Sequence, residues 1–437
     1  MILIAVLLCI LSFYILIDKH LSVGNVLLKL SLAYFFCFSL LSLLYICILF
    51  LGINFIVFQI ILIIIPIIFL LNQIRKKAFR KPRIPDLSGL SFPLLIIIFL
   101  CILIFTVIFF LSTKRWGAGD AWQIWTLHAK FLVYKVEFAN LFGKDMIFSH
   151  ADYPLMLPGF IAMVWRSLGT FSSAVPMMVA YINGALLILM LFASFYEKKF
   201  TMLSVIVMAI LTCPPVLFPY LSSQYSDTLL AVFILVTFIL MEHIPEKKQG
   251  LSLFMIGFFS ASCGWIKNEG LAFFVIFTLF FIIKHFRNIN KIKFYLAGIV
   301  FPLLVVVIFK IVYAPSNDLI AGQSGNYLAK LFDVSRYITI MKFLINVTVA
   351  LHCQMMYILL ASILIINYRY FYSFSFAVIF ILLTVYFFVY VFTPLNLNYH
   401  LYSSYDRLLH HVFPALMYTV FLSAAEKFKK KNVLMTS

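Results

Sequence analysis

The sequence predicts an all-α polytopic membrane protein, and three observations support that prediction. Of the 437 residues, 65% are hydrophobic and only 11% are charged, and the mean hydropathy is +1.10. Apolar runs of about 18 residues or more, the length that a helix needs to cross a bilayer, recur along the whole chain. The alternating segments of about ten residues that are typical of transmembrane β-barrels do not occur in it. This composition excludes an ordinary soluble domain.

The positions of the apolar runs predict about thirteen transmembrane helices. Their expected bounds are 2–17, 26–50, 53–72, 91–112, 174–196, 200–218, 226–242, 251–266, 270–285, 294–313, 339–366, 371–392 and 409–425. The first run has no basic leader and no small-residue cleavage site, so we expect a retained span rather than a signal peptide.

The basic residues predict the topology of these spans. The net charge is +18, and the positive side chains cluster in short loops, the densest from Arg75 to Arg83. Such loops are typical of the cytoplasmic side and of contacts with anionic lipids, not of nucleic-acid binding. The apolar piece Leu155–Leu168, about 14 residues long, is too short to span comfortably. If it lies in the interface, the later basic loops all fall inside, which predicts an external N-terminus and a cytoplasmic C-terminus.

With this topology, the unusual polar residues collect on the outer side, and the first of them follow the span at 91–112. Asp120 comes after two glycines, which let a backbone approach a ligand closely. Trp122 and Trp125 are three residues apart and are expected to share a helical face that suits a sugar ring or an isoprenoid chain. The alternatives are a helix N-cap for Asp120 and an interfacial aromatic belt for the tryptophans.

The same outer loop continues into His150-Ala151-Asp152-Tyr153-Pro154, just before the predicted interfacial helix. A carboxylate and an imidazole at this point are suited to bind a cation, relay a proton or hold a phosphate. The alternative is a capping Asp152 beside a surface His150.

Three further outer segments carry polar side chains. Asp227 opens a span, and its alternative role is a helix cap. Lys267 and Glu269 flank a break between two apolar runs, either as a self-paired turn or with the ammonium on a phosphate. His400 and Arg407 precede the last span, where an arginine either clamps a phosphate bidentately or snorkels to the interface.

From about residue 91 to the end, the chain resembles the GT-C superfamily of membrane glycosyltransferases, in particular bacterial relatives of the protein O-mannosyltransferases and of the lipid A aminoarabinose transferase. Four features carry this resemblance: the Gly119-Asp120 start of the first large outer loop, Asp152-Tyr153-Pro154 running through Pro158 to Leu168-Gly169, the span opening at Asp227, and Arg407-Leu408-Leu409 running to Pro414. It implies a GT-C-like catalytic domain over 91–437 with its outer loop at 113–172. Residues 1–90, the first three spans and a basic cytoplasmic loop, fall outside it.

The resemblance implies an enzyme of the cell envelope that transfers a sugar from a polyprenyl-phosphate donor to a lipid, glycan or protein acceptor. The expected location is the bacterial inner membrane, with the site facing outside or the periplasm. Asp120 matches the general base of the family, and Arg407 and Lys267 become contacts to the donor phosphate. The other expected substrate-binding residues are Trp122, Trp125, His150, Asp152, Tyr153, Asp227, Glu269 and His400.

No metal site is predicted outright. Some members of the superfamily show paired acidic residues where this chain has only Asp120, which leaves dependence on Mg²⁺ or Mn²⁺ open. If a divalent cation is used, Asp120 and Asp152 are the expected ligands.

Two other classes of function compete with the enzyme. A secondary transporter or lipid flippase is the main alternative, but the ionisable residues lie at span ends, and no pair of interrupted helices recurs in two matching halves. A non-catalytic subunit of an envelope complex is the third reading. The sequence shows no P-loop, dinucleotide-binding glycine fingerprint, GxSxG elbow or HExxH motif.

Overall fold

The computed structural model describes residues 1–76, 91–245, 249–317, 327–346 and 351–436, and the regular structure in these ranges is helical. The first half of the chain forms α1 (Ile2–His20), α2 (Val26–Leu51), α3 (Phe55–Arg75), α4 (Phe92–Ser112), α5 (Thr126–Phe131), α6 (Lys135–Phe138), α7 (Met156–Leu168), α8 (Ala174–Glu197), α9 (Thr201–Leu211) and α10 (Pro214–Leu221). The second half forms α11 (Ser226–Glu242), α12 (Gly250–Ile266), α13 (Asn268–His285), α14 (Ile289–Ile308), α15 (Tyr327–Phe332), α16 (Val334–Asn346), α17 (Leu351–Ile366), α18 (Phe374–Phe392) and α19 (Leu397–Thr436).

Nine helices within the described ranges are long and apolar enough to cross a membrane: α1, α2, α3, α4, α8, α13, α14 with its π-helical extension to Tyr313, α18 and α19. They indicate an integral membrane protein, so the predicted class is confirmed in this coarser form, whereas the count of about thirteen is not. One predicted span, 200–218, is two short helices instead, because Pro214 and Pro215 begin a new helix where the first one ends. Another, 339–366, covers parts of both α16 and α17.

The described bundle has two chemically different ends. We call one the polar end, where Asp120, Asp227 and Arg407 meet. The other is the basic end, where Lys198 approaches Glu426 and Lys429 lies over the Phe200 ring.

Helix α7 keeps the chain at the polar end rather than crossing the bundle. Arg115 Nε, just after α4, donates to Ser173 Oγ, just before α8, at 3.2 Å, so the segments that flank the outer loop and α7 meet again. Helix α8 then runs to the basic end, where Glu197 Oε1 accepts from the backbone N–H of Gly24 at 2.6 Å. This agrees with the sequence-based expectation of a non-crossing Leu155–Leu168 segment.

The core is built around helices that are apolar on every side. Every residue of α11 from Ser226 to Leu240 is buried, which is what a helix with no polar face requires. Helix α2 lies in the same core: Ser39 bonds Ser262 of α12 at 2.9 Å, and the Phe38 ring stacks on Phe160 of α7 at 4.1 Å. The buried residues of α1, α2 and α3 belong to the same hydrophobic core as those of the later helices.

Candidate functional site

Arg407 joins two carboxylates that are far apart in the sequence. Its Nη1 lies 2.6 Å from Asp120 Oδ2, and its Nη2 and Nε lie 3.0 and 3.3 Å from the two oxygens of Asp227. A guanidinium presents its N–H groups in a fixed plane, so it is suited to such a bridge. Three segments that the sequence analysis assigned to the same side of the membrane therefore meet at one point of the structure.

Asp227 is the hub of the network. Its side chain is 0% exposed, and its Oδ1 also accepts from Lys267 Nζ at 2.9 Å and His411 Nε2 at 2.8 Å. A buried carboxylate is tolerated only when charge and hydrogen bonds compensate its lost hydration, and here four donors do so. Asp227 lies in the first turn of α11, whose N-cap position is occupied by Tyr225, and its carboxylate is directed to the three donor side chains instead.

The loop that presents Asp120 is tied to the loop before α11. The backbone N–H of Ala118 donates to Ser223 O at 3.1 Å, and Gln224 Nε2 donates to Lys114 O at 2.7 Å. Gly117 has a positive φ of 76°, and a Cβ there would lie 2.5 Å from Ser223 O. A side chain is therefore excluded at Gly117 by both conformation and space.

Asp120 itself makes no capping hydrogen bond, although it precedes the π-helical turn Ala121–Trp125. Its carboxylate is directed to Arg407 instead, with 32% of the side chain exposed. The predicted N-cap alternative is therefore replaced by an ion pair that leaves one face of the carboxylate open.

The two tryptophans of this segment do not share a face, so that expectation is wrong. Trp122 is 54% exposed, whereas Trp125 is 1% exposed and packs on the Tyr153 ring at 5.5 Å. The segment is a π-turn, and its wider turn breaks the α-helical spacing on which the expectation depended. Only Trp122 is free to meet a substrate from solvent.

Asp152 is the centre of a second hydrogen-bonded group next to the Asp227 network. Its Oδ2 accepts from the side-chain amides of Asn268 at 2.8 Å and Asn317 at 2.7 Å. Lys310 Nζ bonds the Asp152 carbonyl at 2.5 Å and Asn268 Oδ1 at 2.6 Å. Asp152 therefore positions three neighbouring side chains, and it is not a helix cap.

Tyr153 lies between the group around Asp152 and the network around Asp227. Lys267 Nζ sits 5.8 Å from the ring centroid, and the His150 ring is 5.6 Å away. Burial, together with the charge of Glu269, raises the pKa of the Tyr153 phenol well above its usual value, so it stays protonated. His150 adopts a left-handed backbone with φ of 53°, a conformation uncommon for a residue with a side chain.

Arg407 also meets an aromatic ring. Its guanidinium carbon lies 4.8 Å from the centroid of Tyr225, a cation–π geometry. Burial and the nearby Asp120 carboxylate raise the pKa of the Tyr225 phenol. The Tyr225 ring therefore contacts the Arg407 guanidinium in addition to the two carboxylates and helps to fix its position.

A cavity of about 600 Å³ adjoins the network. Its lining comes from Tyr153, Asn268, Glu269, Leu271, Ala272, Lys310, Ala314, Pro315, Ser316, Asn317, Val385, Tyr386, Val389, His400, Ser404 and Leu408. Glu269 reaches the network through Lys267 at 3.3 Å, and His400 is held by Thr393 Oγ1 at 2.9 Å. Of the predicted substrate-binding residues, Tyr153, Glu269 and His400 line this cavity.

The acidic side chains are not arranged as a metal cluster. Within the described ranges, no group of three or more His, Cys, Asp or Glu side chains is placed to hold a metal ion. The two aspartates suggested as ligands have separate partners, Arg407 for Asp120 and the two asparagine amides for Asp152.

Four residues of the site were missing from the sequence-based candidates for the site. They are Lys310, His411, Asn268 and Asn317. Lys310 had a usable signal, because it is a single charge at the end of a long apolar run and such residues are rarely neutral to function. His411 enters an apolar run, and Asn268 lies between Lys267 and Glu269 in the charged break, so both also had a local signal. Asn317 had none, since only the fold places its amide on Asp152.

No family model, no curated protein and no solved structure matches this chain.

Proposed function

We propose that this protein is a membrane glycosyltransferase of GT-C type that uses a polyprenyl-phosphate-linked sugar as donor. One observation carries the proposal: four charged side chains from four separate segments converge at one end of the bundle, next to a cavity with polar and apolar walls. They are Asp120, Asp227, Lys267 and Arg407. A lipid-borne sugar phosphate needs all three components: apolar walls, cations and a carboxylate.

In the proposed reaction, Asp120 is the general base. The acceptor hydroxyl loses its proton to the Asp120 carboxylate as its oxygen attacks the anomeric carbon. The bond from that carbon to the phosphate oxygen breaks, and the polyprenyl phosphate leaves with the electron pair. A single base suffices when attack comes from the face opposite the leaving group, as in inverting glycosidases.

The carboxylates fix the positions of the two cations, Arg407 and Lys267, in the proposed site. Arg407 has five N–H groups, of which three bond Asp120 and Asp227, so two remain for phosphate oxygens. Lys267 bonds Asp227 and Glu269 and retains a third N–H. Charge preorganised in this way stabilises a developing phosphate anion without reorganisation. We place the reaction at the extracytoplasmic face of a bacterial cell membrane.

Replacement of the base tests the proposal directly. Asp120→Asn should lower transfer at least about a hundredfold, because general-base catalysis contributes on that order and an amide accepts no proton. The measurement is release of lipid phosphate from a panel of polyprenyl-phosphate sugars by the purified protein, together with the elution profile and melting temperature.

The matched control is Asp145→Asn, an exposed aspartate of the same loop, which should retain full turnover. Undiminished release by the Asp120 variant would remove the assignment of the base. Movement of intact sugar lipid across a vesicle membrane without release of lipid phosphate would favour the transporter instead.

A further inference from the structure

The lining of the cavity beside the network combines two kinds of side chain. Asn268, Glu269, Lys310, Asn317, His400 and Ser404 are polar, and Leu271, Ala272, Val385, Val389 and Leu408 are apolar. Pockets that combine apolar walls with a few placed polar groups are typical of ligand sites. This combination suits the junction between a charged headgroup and a hydrocarbon tail.

Lys310 is the lysine that lines this cavity, and its bonds differ from those of the other site cations. Within the described part of the chain, its ammonium is held by two neutral oxygens, the Asp152 carbonyl and Asn268 Oδ1. Lys267 and Arg407 are instead neutralised by carboxylates. Among the described residues, no carboxylate oxygen therefore bonds Lys310 directly, although the charges of Asp152 and Glu269 act on it from a greater distance.

The orientation of Lys310 is fixed by Asp152. Because the Asp152 carboxylate accepts the Asn268 amide nitrogen at 2.8 Å, the amide oxygen turns toward Lys310. Two of the three N–H groups of Lys310 are then used, and one remains. Asp152 is therefore a positioning residue: it orients the Lys310 ammonium through Asn268 and through its own backbone carbonyl, with no direct bond from carboxylate to ammonium.

Two buried polar atoms of the lining also lack partners. Glu269 Oε2 and the Tyr386 hydroxyl form no hydrogen bond with any described residue, although both residues line the cavity. A buried polar atom without a hydrogen-bond partner destabilises the protein, because it has lost its hydration without compensation. A ligand that carries hydroxyl groups would satisfy both atoms, the carboxylate as acceptor and the phenol as donor or acceptor.

We propose that this cavity binds the headgroup of a phosphate-bearing amphiphile, with Lys310 on the phosphate and Glu269 and Tyr386 on hydroxyls of the attached group. The inference rests on the proposed function for the identity of that amphiphile, the sugar donor. It changes the expected roles: Lys310 takes the resting phosphate, whereas Arg407 orients Asp120 and meets the phosphate only as it leaves.

The test measures binding, and it needs no turnover. Farnesyl phosphate, farnesol and inorganic phosphate are titrated by calorimetry into the full-length protein in detergent. Farnesyl phosphate should bind wild type at least about tenfold more tightly than either of the other two. Lys310→Gln should weaken farnesyl phosphate at least about tenfold and leave farnesol unchanged, in keeping with the loss of a charged hydrogen bond. Lys310→Arg should recover most of the affinity.

Lys330→Gln is the matched control, because Lys330 also donates to a backbone carbonyl, that of Phe392, but does not line the cavity. It should bind all three probes as wild type does. A second variant, Ala272→Trp, places a large side chain in the cavity from an apolar lining position. It should abolish binding of farnesyl phosphate and farnesol alike, so the inference can still be tested if Lys310→Gln does not fold.

Several results would overturn the inference. Wild type could bind farnesol or inorganic phosphate as tightly as farnesyl phosphate. Lys330→Gln could lose as much affinity for farnesyl phosphate as Lys310→Gln does, or both cavity variants could bind it as wild type does. The proposed function fails separately: Lys310-dependent lipid binding without any sugar transfer would leave the headgroup site standing and remove the enzyme. Sugar transfer that does not depend on Lys310 would instead support the enzyme and remove the headgroup site.

Discussion

At the polar end, Asp227 is completely buried and shared by Arg407, Lys267 and His411. At the basic end, Lys198 meets Glu426 at 3.6 Å with 20% and 47% of the two side chains exposed. The first arrangement fixes atoms to within hydrogen-bond geometry in a low dielectric, and the second is a solvent-screened contact. Of these two clusters, the buried one around Asp227 holds a particular geometry, whereas the exposed Lys198–Glu426 contact does not.

The largest effect is expected at the hub. Asp227→Asn removes the charge that compensates a buried guanidinium and ammonium, so the variant should lose about 3–5 kcal/mol of stability, the usual cost of breaking a buried pair. The measurement is the melting temperature and the monodisperse fraction in detergent.

Glu426→Gln, which neutralises a carboxylate at the basic end, is the control for Asp227→Asn and should melt within a few degrees of wild type. Similar melting of the two variants would contradict the claimed difference between the ends.

A smaller effect is expected in the loop that carries Asp120. Gly117→Ala forces a side chain into a left-handed conformation and against Ser223 O, which should cost about 1–3 kcal/mol. It should also reduce sugar transfer, because the displaced loop no longer presents Asp120 to Arg407.

Gly119→Ala is the matched substitution, since a Cβ at Gly119 meets nothing within 4 Å. It should leave both melting temperature and transfer close to wild type. If the two alanine variants behave alike, the loop geometry does not depend on Gly117.

The smallest effect is expected at the basic end. Lys198→Gln removes the partly exposed pair with Glu426, so stability should change by less than about 1 kcal/mol. Thermal denaturation at low and high salt checks this, and the small difference should shrink further at high salt. A loss comparable to that of Asp227→Asn would show that the basic end also contains a structural network.

Much of the architecture was predictable because hydropathy acts locally. A run of about 20 apolar residues predicts a helix wherever it packs, and the bounds of α1, α3, α4 and α8 lie close to the predicted ones. The non-crossing α7 was predictable from its length and from the basic loops on either side. The split of 200–218 was readable from Pro214 and Pro215.

The sequence by itself determined the class of the protein, the polar segments worth attention, and Asp120, Asp227, Lys267 and Arg407 among them, because charge is expensive in a membrane bundle and is conspicuous in an apolar chain. Only the tertiary structure decided which of these side chains form ion pairs and hydrogen bonds with one another. Residues separated by 287 positions meet at 2.6 Å, and a lone lysine at position 310 gains its neutral partners through Asp152. Such partnerships depend on how helices pack in three dimensions, which no local pattern of residues encodes.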